Sequence, residues 1–137
     1  MERKESERLL TRGLKAGAVY FLGVALAHVA MVKLPGLYVY YSVPSHGYQD
    51  KIIGILAFGW AVFLWAASAN EAARKALRPA VITAGIGNLA GLILINVSPD
   101  MAAMSTPRDL AVFWIETGML ASYFAWLCVC FWQERVR

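Results

Sequence analysis

Four long stretches of apolar residues alternate with short polar segments along the chain. Uncharged runs cover 16–32, 52–70 and 79–99, and a fourth run over 110–133 holds one charge, that of Glu116. About 20 helical residues rising 1.5 Å each cross about 30 Å of hydrocarbon, so each run is close to span length. The second run is apolar on all sides, whereas a water-soluble helix keeps a polar face. The pattern predicts an all-α integral membrane protein.

The boundaries of the runs predict the topology. We place the spans at about residues 14–33, 51–70, 79–97 and 110–132 of a single domain covering 1–137. Pro79 suits the first turn of the third helix, Ser98-Pro99-Asp100 ends that helix, and Thr106-Pro107 starts the fourth. The loops at 70–78 and 98–109 are short, and short loops join antiparallel neighbours. The prediction is therefore an up-down-up-down four-helix bundle.

Basic residues are distributed unequally between the two sides of this topology. Ten lie near the two termini or between the second and third spans, and three lie on the other side: Lys33, Lys51 and Arg108. Because cytoplasmic loops are enriched in Lys and Arg, we expect both termini to be cytoplasmic (N-in/C-in) in the cell membrane. The lead over 1–15 also holds acidic residues, unlike a secretory signal, so we expect the first span to be retained. Orientation thus accounts for the net charge of +4 without a nucleic-acid partner.

The external loop over 34–50 is rich in tyrosine. Its turn-forming and aromatic residues are Pro35, Gly36, Tyr38, Tyr40, Tyr41, Pro44, His46, Gly47 and Tyr48. Tyrosine favours the lipid headgroup layer, so one interpretation is an interfacial belt. The other is a lid over a pocket that opens to the same side.

Small residues mark helix faces that another helix can approach closely. In the third span, Gly87 and Gly91 form a Gly-x-x-x-Gly pair on a stripe that also carries Asn88. Matching small residues occur in the second and fourth spans at Ala57, Ala61 and Gly118. We expect these faces to pack inside the bundle before they form a dimer.

Two ionisable residues within the spans are functional candidates, because such groups are costly in hydrocarbon. His28 and Glu116 each lie about six residues, or about 9 Å, inside the outer boundary of the first and fourth helices. A pocket at this depth would be lined by a set of candidate residues: His28, Asp50, Tyr48, Asn88, Asn96 and Glu116. The competing interpretation is a single structural hydrogen bond between His28 and Glu116. One His and one carboxylate are too few for a metal site, so no metal ligand is predicted.

The middle of the chain resembles small four-helix membrane proteins of the DoxX-like group. The resemblance covers Tyr48-Gln-Asp-Lys-Ile-Ile-Gly54, the helix with Trp60, the turn Asn70-Glu-Ala-Ala-Arg-Lys75, and Arg78-Pro79 before a Gly-rich helix. This resemblance implies membership of a group in which some proteins are accessory subunits of redox complexes. The chain also resembles EXPERA-type sterol isomerases and sterol-binding proteins in its helix number and intramembrane acid. Their catalytic pattern needs more than one Glu, and here Glu116 stands alone.

Two functions follow as hypotheses. The first is a non-catalytic accessory subunit of a larger membrane complex, for electron transfer or pigment binding, whose partners are the bilayer and other membrane subunits or further copies of itself. The five tryptophans supply flat surfaces for subunits, pigments or lipids as bound groups. The second is a binder of, or enzyme for, a small lipophilic molecule, with Glu116 as acid and His28 as base or orienting group. A small transporter fits less well, because four helices show no inverted repeat.

Overall fold

Helices and short loops make up the whole described part of the chain. The computed structural model describes the backbone of residues 3–136 and the side chains of residues 5–134. The helices are α1 (Arg3–Val29), α2 (Gly47–Ala67), α3 (Glu71–Asn96), α4 (Pro99–Met104) and α5 (Pro107–Val136). All except α4 are long and apolar enough to cross a membrane, which confirms the all-α class and the four span-length helices. Four of the basic residues counted above have side chains outside the described part: Arg3, Lys4, Arg135 and Arg137.

Helix α1 ends at Val29, four residues before the predicted end at 33. The N–H of Val32 donates to the carbonyl of Ala27 at 2.9 Å, and that of Met31 donates to the carbonyl of His28 at 3.2 Å. Met31 has the left-handed φ of 57° that this pair of bonds requires. The helix therefore ends in a Schellman motif. The sequence does not indicate this motif, because its left-handed residue is Met31 rather than a glycine.

Helix α3 begins at Glu71, so the predicted loop over 70–78 is wrong. The side chain of Asn70 accepts a hydrogen bond from the N–H of Ala73 at 2.9 Å and caps the helix. Pro79 lies inside α3 rather than in its first turn, and its missing N–H leaves one backbone carbonyl a turn earlier without its helical partner. The helix therefore starts after its N-cap residue Asn70 and not at Pro79, where the sequence placed its start. As a result, Arg74 lies on the helix rather than in a loop.

The start of α5 agrees with the predicted signals. Thr106 and Asp109 form a reciprocal cap in which the N–H of Asp109 donates to the Thr106 hydroxyl at 3.2 Å. In return, the N–H of Thr106 donates to the Asp109 carboxylate at 3.2 Å. Ser98 likewise caps the short α4, a helix inside the predicted loop 98–109.

The core lies mainly between α1, α2 and α5. Gly17 on α1 lies against the side chain of Leu64 on α2, and Gly54 on α2 lies against Val29 near the end of α1. Apolar side chains fill the space between these helices: Leu10, Leu14, Ala18, Leu64, Ala67, Leu127 and Phe131. Two alanines predicted to pack between helices are buried at 6% exposure each: Ala57 and Ala61.

Helix α3 is the least buried of the four long helices. The predicted seam at Gly87 and Gly91 is not formed within the chain, because a Cβ added at either residue would meet no atom within 4 Å. Gly118 on α5 is equally open. The close approach on α3 is instead at Gly85, where an added Cβ would overlap the ring of Phe124. The small-residue stripe of α3 therefore faces away from the bundle.

Candidate functional site at the tyrosine-rich end

The loop between α1 and α2 folds over the end of the bundle. We call residues 34–46 the cap and the part of the bundle beneath it the cap end. The N–H of Tyr38 donates to the carbonyl of Leu34 at 2.9 Å and closes a turn around Gly36. Gly36 has φ of 86°, a left-handed conformation that suits glycine. The turn at Pro35-Gly36 directs Tyr38 into the bundle, where it is 3% exposed.

Gly36 is held between α1 and α5 by hydrogen bonds to both of its backbone polar groups. The hydroxyl of Tyr20 donates to the Gly36 carbonyl at 2.9 Å. The Gly36 N–H donates to Oε1 of Glu116 at 2.8 Å. Glu116 is buried on α5, so the intramembrane carboxylate singled out by the sequence binds the backbone of the cap.

His28, Tyr38 and Asp50 form a second buried cluster at the cap end. The ring centroids of His28 and Tyr38 are 3.6 Å apart and tilted by 39°. Asp50 is 1% exposed and accepts a hydrogen bond from the Ser45 hydroxyl at 2.8 Å. The Tyr38 hydroxyl lies near Asp50, although no hydrogen bond of standard geometry joins them. Burial raises the pKa of Tyr38, and the charge of Asp50 raises it further, so the phenol stays protonated.

A third set of contacts joins the cap to α3 and α5. The Tyr40 hydroxyl donates to Oδ1 of Asn96 at 3.1 Å, and Nδ2 of Asn96 donates to the Thr117 hydroxyl at 3.0 Å. Thr117 in turn donates to the Phe113 carbonyl at 2.8 Å. Burial raises the pKa of Tyr40 to about 12, because the phenolate would lose its hydration. The chain of donors and acceptors fixes the protonated Tyr40 against two helices.

The structure places four of the candidate residues in this buried layer: His28, Asp50, Asn96 and Glu116. His28 contacts Tyr38, whereas Glu116 binds Gly36. The structural hydrogen bond predicted between His28 and Glu116 is therefore not formed in the described part of the chain. Tyr48 lies outside the layer on α2, 64% exposed, and Asn88 is exposed on α3.

Several residues of the layer were missed by the sequence reasoning. Tyr20 and Thr117 are polar residues within spans, and Thr117 follows Glu116 directly, so both were visible as candidates. The role of Gly36 was not visible, since it rests on backbone groups that every residue carries. Only the turn preference of Pro35-Gly36 marks the position in the sequence.

Three buried polar atoms of the layer have no hydrogen-bond partner within the described residues. They are Nδ1 of His28, the hydroxyl oxygen of Tyr38 and Oε2 of Glu116. Each unsatisfied buried group costs about 1–3 kcal/mol, which favours a bound water or a polar ligand beside it. The two cavities described in the structure lie elsewhere, one among arginines at the opposite end and one between α2 and α3. The cap lies over the predicted position of the pocket, as a lid would.

The cap end offers carboxylate, imidazole, phenol and amide groups, which suit hydrogen bonding more than metal binding. Within residues 5–134, no three His, Cys, Asp or Glu side chains are grouped so that they could hold a metal ion. The DoxX-like resemblance stays a prediction, since the comparisons add no evidence to it. No protein-family model, curated protein or solved structure matches this chain.

Proposed function

We propose that this chain is a non-catalytic subunit of a larger assembly in the cytoplasmic membrane and that it binds its partner through α3. The exposure of α3 carries the proposal. Only 11% of the residues in its most apolar stretch are buried, against 39% in α1 and 33% in α2. A helix with so few contacts inside its own bundle leaves most of its surface for another protein.

The open face of α3 has the composition of a helix-helix interface in lipid. Gly87 and Gly91 leave its backbone accessible, and Asn88 between them is exposed, with a side-chain amide that makes no hydrogen bond within the described residues. Between membrane helices, small residues allow close backbone contact, and an amide hydrogen bond contributes about 1 kcal/mol. A partner helix on this face would satisfy Asn88, which lipid cannot do.

The same proposal includes the topology. Gly17 lies against Leu64, and Gly54 lies against Val29, so the start of α1 is paired with the end of α2. These contacts support opposite directions for α1 and α2 and, with the short loops, an up-down-up-down bundle. The ten basic residues against three support cytoplasmic termini.

Exposed tryptophans supply further contact surface for subunits or pigments. Trp65 on α2 is 57% exposed and Trp132 on α5 is 67% exposed. Flat aromatic surfaces of this kind suit protein partners and conjugated cofactors. The resemblance to the DoxX-like group, which includes accessory subunits of redox complexes, supports the same proposal.

Purification from native membranes in a mild detergent, with mass spectrometry of co-purified proteins, tests the proposal. Gly87→Leu and Asn88→Leu should each release the partner while leaving the fold intact, because position 87 is open and Asn88 is exposed. Gly118→Leu on α5 is the matched control, an equally open glycine, and should retain the partner. A lone 15.1 kDa species in the unaltered protein would refute the proposal.

The unsatisfied atoms of the cap end favour a second candidate, a binder of a small lipophile that carries a hydroxyl or a cation. Polar groups of such a molecule, inserted beside the cap, would complete the hydrogen bonding of Glu116 Oε2 in one cluster and of His28 Nδ1 in the other. Glu116 would act as the acid or anion partner, and His28 would act as the base or orient the ligand.

Native mass spectrometry of the purified protein tests this second candidate by detecting a co-purified small molecule. Glu116→Gln keeps an acceptor for the Gly36 N–H but removes the charge, and His28→Ala removes the imidazole. Both variants should lose the molecule. If both retain it at full occupancy, the cap end is a structural layer alone.

A further inference from the structure

A cavity of about 340 Å³ opens at the end of the bundle opposite the cap. Its walls come from α1 and α3, and its lining residues are Glu7, Arg8, Thr11, Arg12 and Arg74. Three of the five carry guanidinium groups. The proposed assembly interface on α3 does not include any of these residues, so the cavity needs a separate explanation.

The arginines of this cavity differ in how their charges are balanced. Nε of Arg74 donates to Glu134 at 3.0 Å, and its Nη1 donates to Thr11 at 3.2 Å. Arg8 and Arg12 make no ion pair within the described residues, and Glu7 already has another partner. Two like charges four residues apart on one helix face repel each other unless an anion lies between them. Within the described residues, the cavity therefore has two arginines without an ion-pair partner, beside one hydroxyl group and the carboxylate of Glu7.

The position of the cavity relative to the apolar runs matches the headgroup layer of a bilayer. Arg12 lies four residues, or about 6 Å, before the uncharged run of α1 at Ala16. Arg74 lies five residues, or about 7.5 Å, before that of α3 at Pro79. Each headgroup region adds about 5–8 Å to the hydrocarbon core. Lipid phosphates occupy the depth of Arg12 and Arg74, whereas Arg8 starts about 12 Å before Ala16, just beyond the headgroup layer.

We propose that this cavity binds the phosphate group of an anionic phospholipid headgroup. Arg8 and Arg12 supply the charge and paired N–H donors that match phosphate oxygens, and Thr11 supplies a neutral polar group between them. Arg74 remains paired with Glu134 and forms the back wall. The single negative charge of a phosphodiester reduces the repulsion between Arg8 and Arg12, whereas a zwitterionic lipid brings its own cation.

Lipid titration of the full chain in neutral detergent, read by native mass spectrometry, tests the proposal. Phosphatidylglycerol should bind at least tenfold more tightly than phosphatidylcholine. The double variant Arg8→Gln with Arg12→Gln should weaken phosphatidylglycerol binding by about 25-fold, about fivefold for each arginine. The matched control is Lys75→Gln with Arg78→Gln, which removes the same charge at the same end of the bundle but outside the cavity and should change the affinity less than threefold.

Three outcomes would overturn the lipid assignment. If the control double variant weakens binding as much as the cavity variant, the attraction is diffuse and there is no site. Equal binding of the two lipids to the unaltered chain would show that the anionic charge is not recognised. Inorganic phosphate, titrated alone against thermal stability, tests the other source of this chemistry. If it stabilises the chain through Arg8 and Arg12 while phosphatidylglycerol does not, the ligand is free phosphate.

Discussion

The ion pair between Arg74 and Glu134 ties the start of α3 to the end of α5, and its removal gives a quantitative prediction. The two side chains are 7% and 3% exposed, with Nε and Oε1 3.0 Å apart. Three variants separate their contributions: Arg74→Met, Glu134→Leu, and the two combined. Methionine and leucine keep much of the side-chain volume while removing the charge.

The surroundings of the two charges differ, so the two single variants should not cost the same. Arg74 lines an open cavity and also donates to Thr11, so water and a hydroxyl group remain available if Glu134 is lost. Glu134 would have no other partner if Arg74 were lost, since its Oε2 is buried and makes no hydrogen bond within the described residues. A buried charge left alone costs about 3–5 kcal/mol. We expect Arg74→Met to cost about 3–5 kcal/mol, as for an isolated buried charge, and Glu134→Leu about 1–3 kcal/mol, as for a polar group that loses one partner.

The double variant should recover most of this loss. Replacing a buried ion pair with apolar residues of similar size is often neutral, because no charge remains to be desolvated. We therefore expect the double variant to lie within about 1 kcal/mol of the unaltered protein. The assay is unfolding in mixed micelles with increasing sodium dodecyl sulfate, followed by circular dichroism and analysed as a double-mutant cycle.

Two results would refute this reasoning. A double variant as unstable as Arg74→Met would show that the loss comes from packing rather than from an isolated charge. A cost for Glu134→Leu equal to or above that of Arg74→Met would contradict the proposed role of the cavity in hydrating Arg74. In either case, the different surroundings of Arg74 and Glu134 would not determine the free-energy cost of losing the ion pair.

Three further predictions concern packing, the cap turn and pH. Gly85→Ala should destabilise the protein by about 1–3 kcal/mol, since the added Cβ overlaps the ring of Phe124. Gly91→Ala, in open space, should be neutral or slightly stabilising in the same unfolding assay, and equal costs would contradict the packing. Gly36→Ala should cost about 1–2 kcal/mol because its φ of 86° strains an L residue; an unchanged unfolding midpoint would contradict this. The pKa of Tyr40, about 12, lies above the unfolded value of about 10, so its stabilisation is complete below pH 10 and is lost as pH rises towards 12. Absorbance titration should show that Tyr40→Phe removes one phenol from the group that ionises late; an unchanged number of late-ionising phenols would refute the assignment.

The sequence predicted the helices well where their determinants are local. Apolar runs of span length depend on composition alone. The capping box at the start of α5 depends only on Thr106 and Asp109, which are three positions apart. The boundaries failed where local signals compete. Pro79 favours a helix start, yet Asn70 caps the helix nine residues earlier, and Met31 ends α1 in a conformation usually taken by glycine.

The end of the bundle that holds the candidate site was predictable, but the depth of His28 and the pairing were not, since His28 lies in the last turn of α1 rather than six residues inside it. Helical rise and the span boundaries place His28 and Glu116 at one end, as the structure does. Their partners come from the cap, whose path is set by Gly36 and by contacts to three helices. The packing of the α3 glycines was likewise predictable only in part. A stripe of small residues indicates which face can be approached closely, but the bundle itself approaches at Gly85.

The cap is hydrogen-bonded to parts of the chain that are synthesised long after it. Its hydrogen bonds join Gly36 to Glu116 across 80 positions, Tyr41 to Asp109 across 68, and Tyr40 to Asn96 across 56. During synthesis, α1 and α2 can pair while the cap still lacks these partners. The buried polar layer is completed only once α5 has entered the membrane. Protection of the cap from a protease or from hydrogen exchange would therefore report that biosynthesis of the whole bundle is finished.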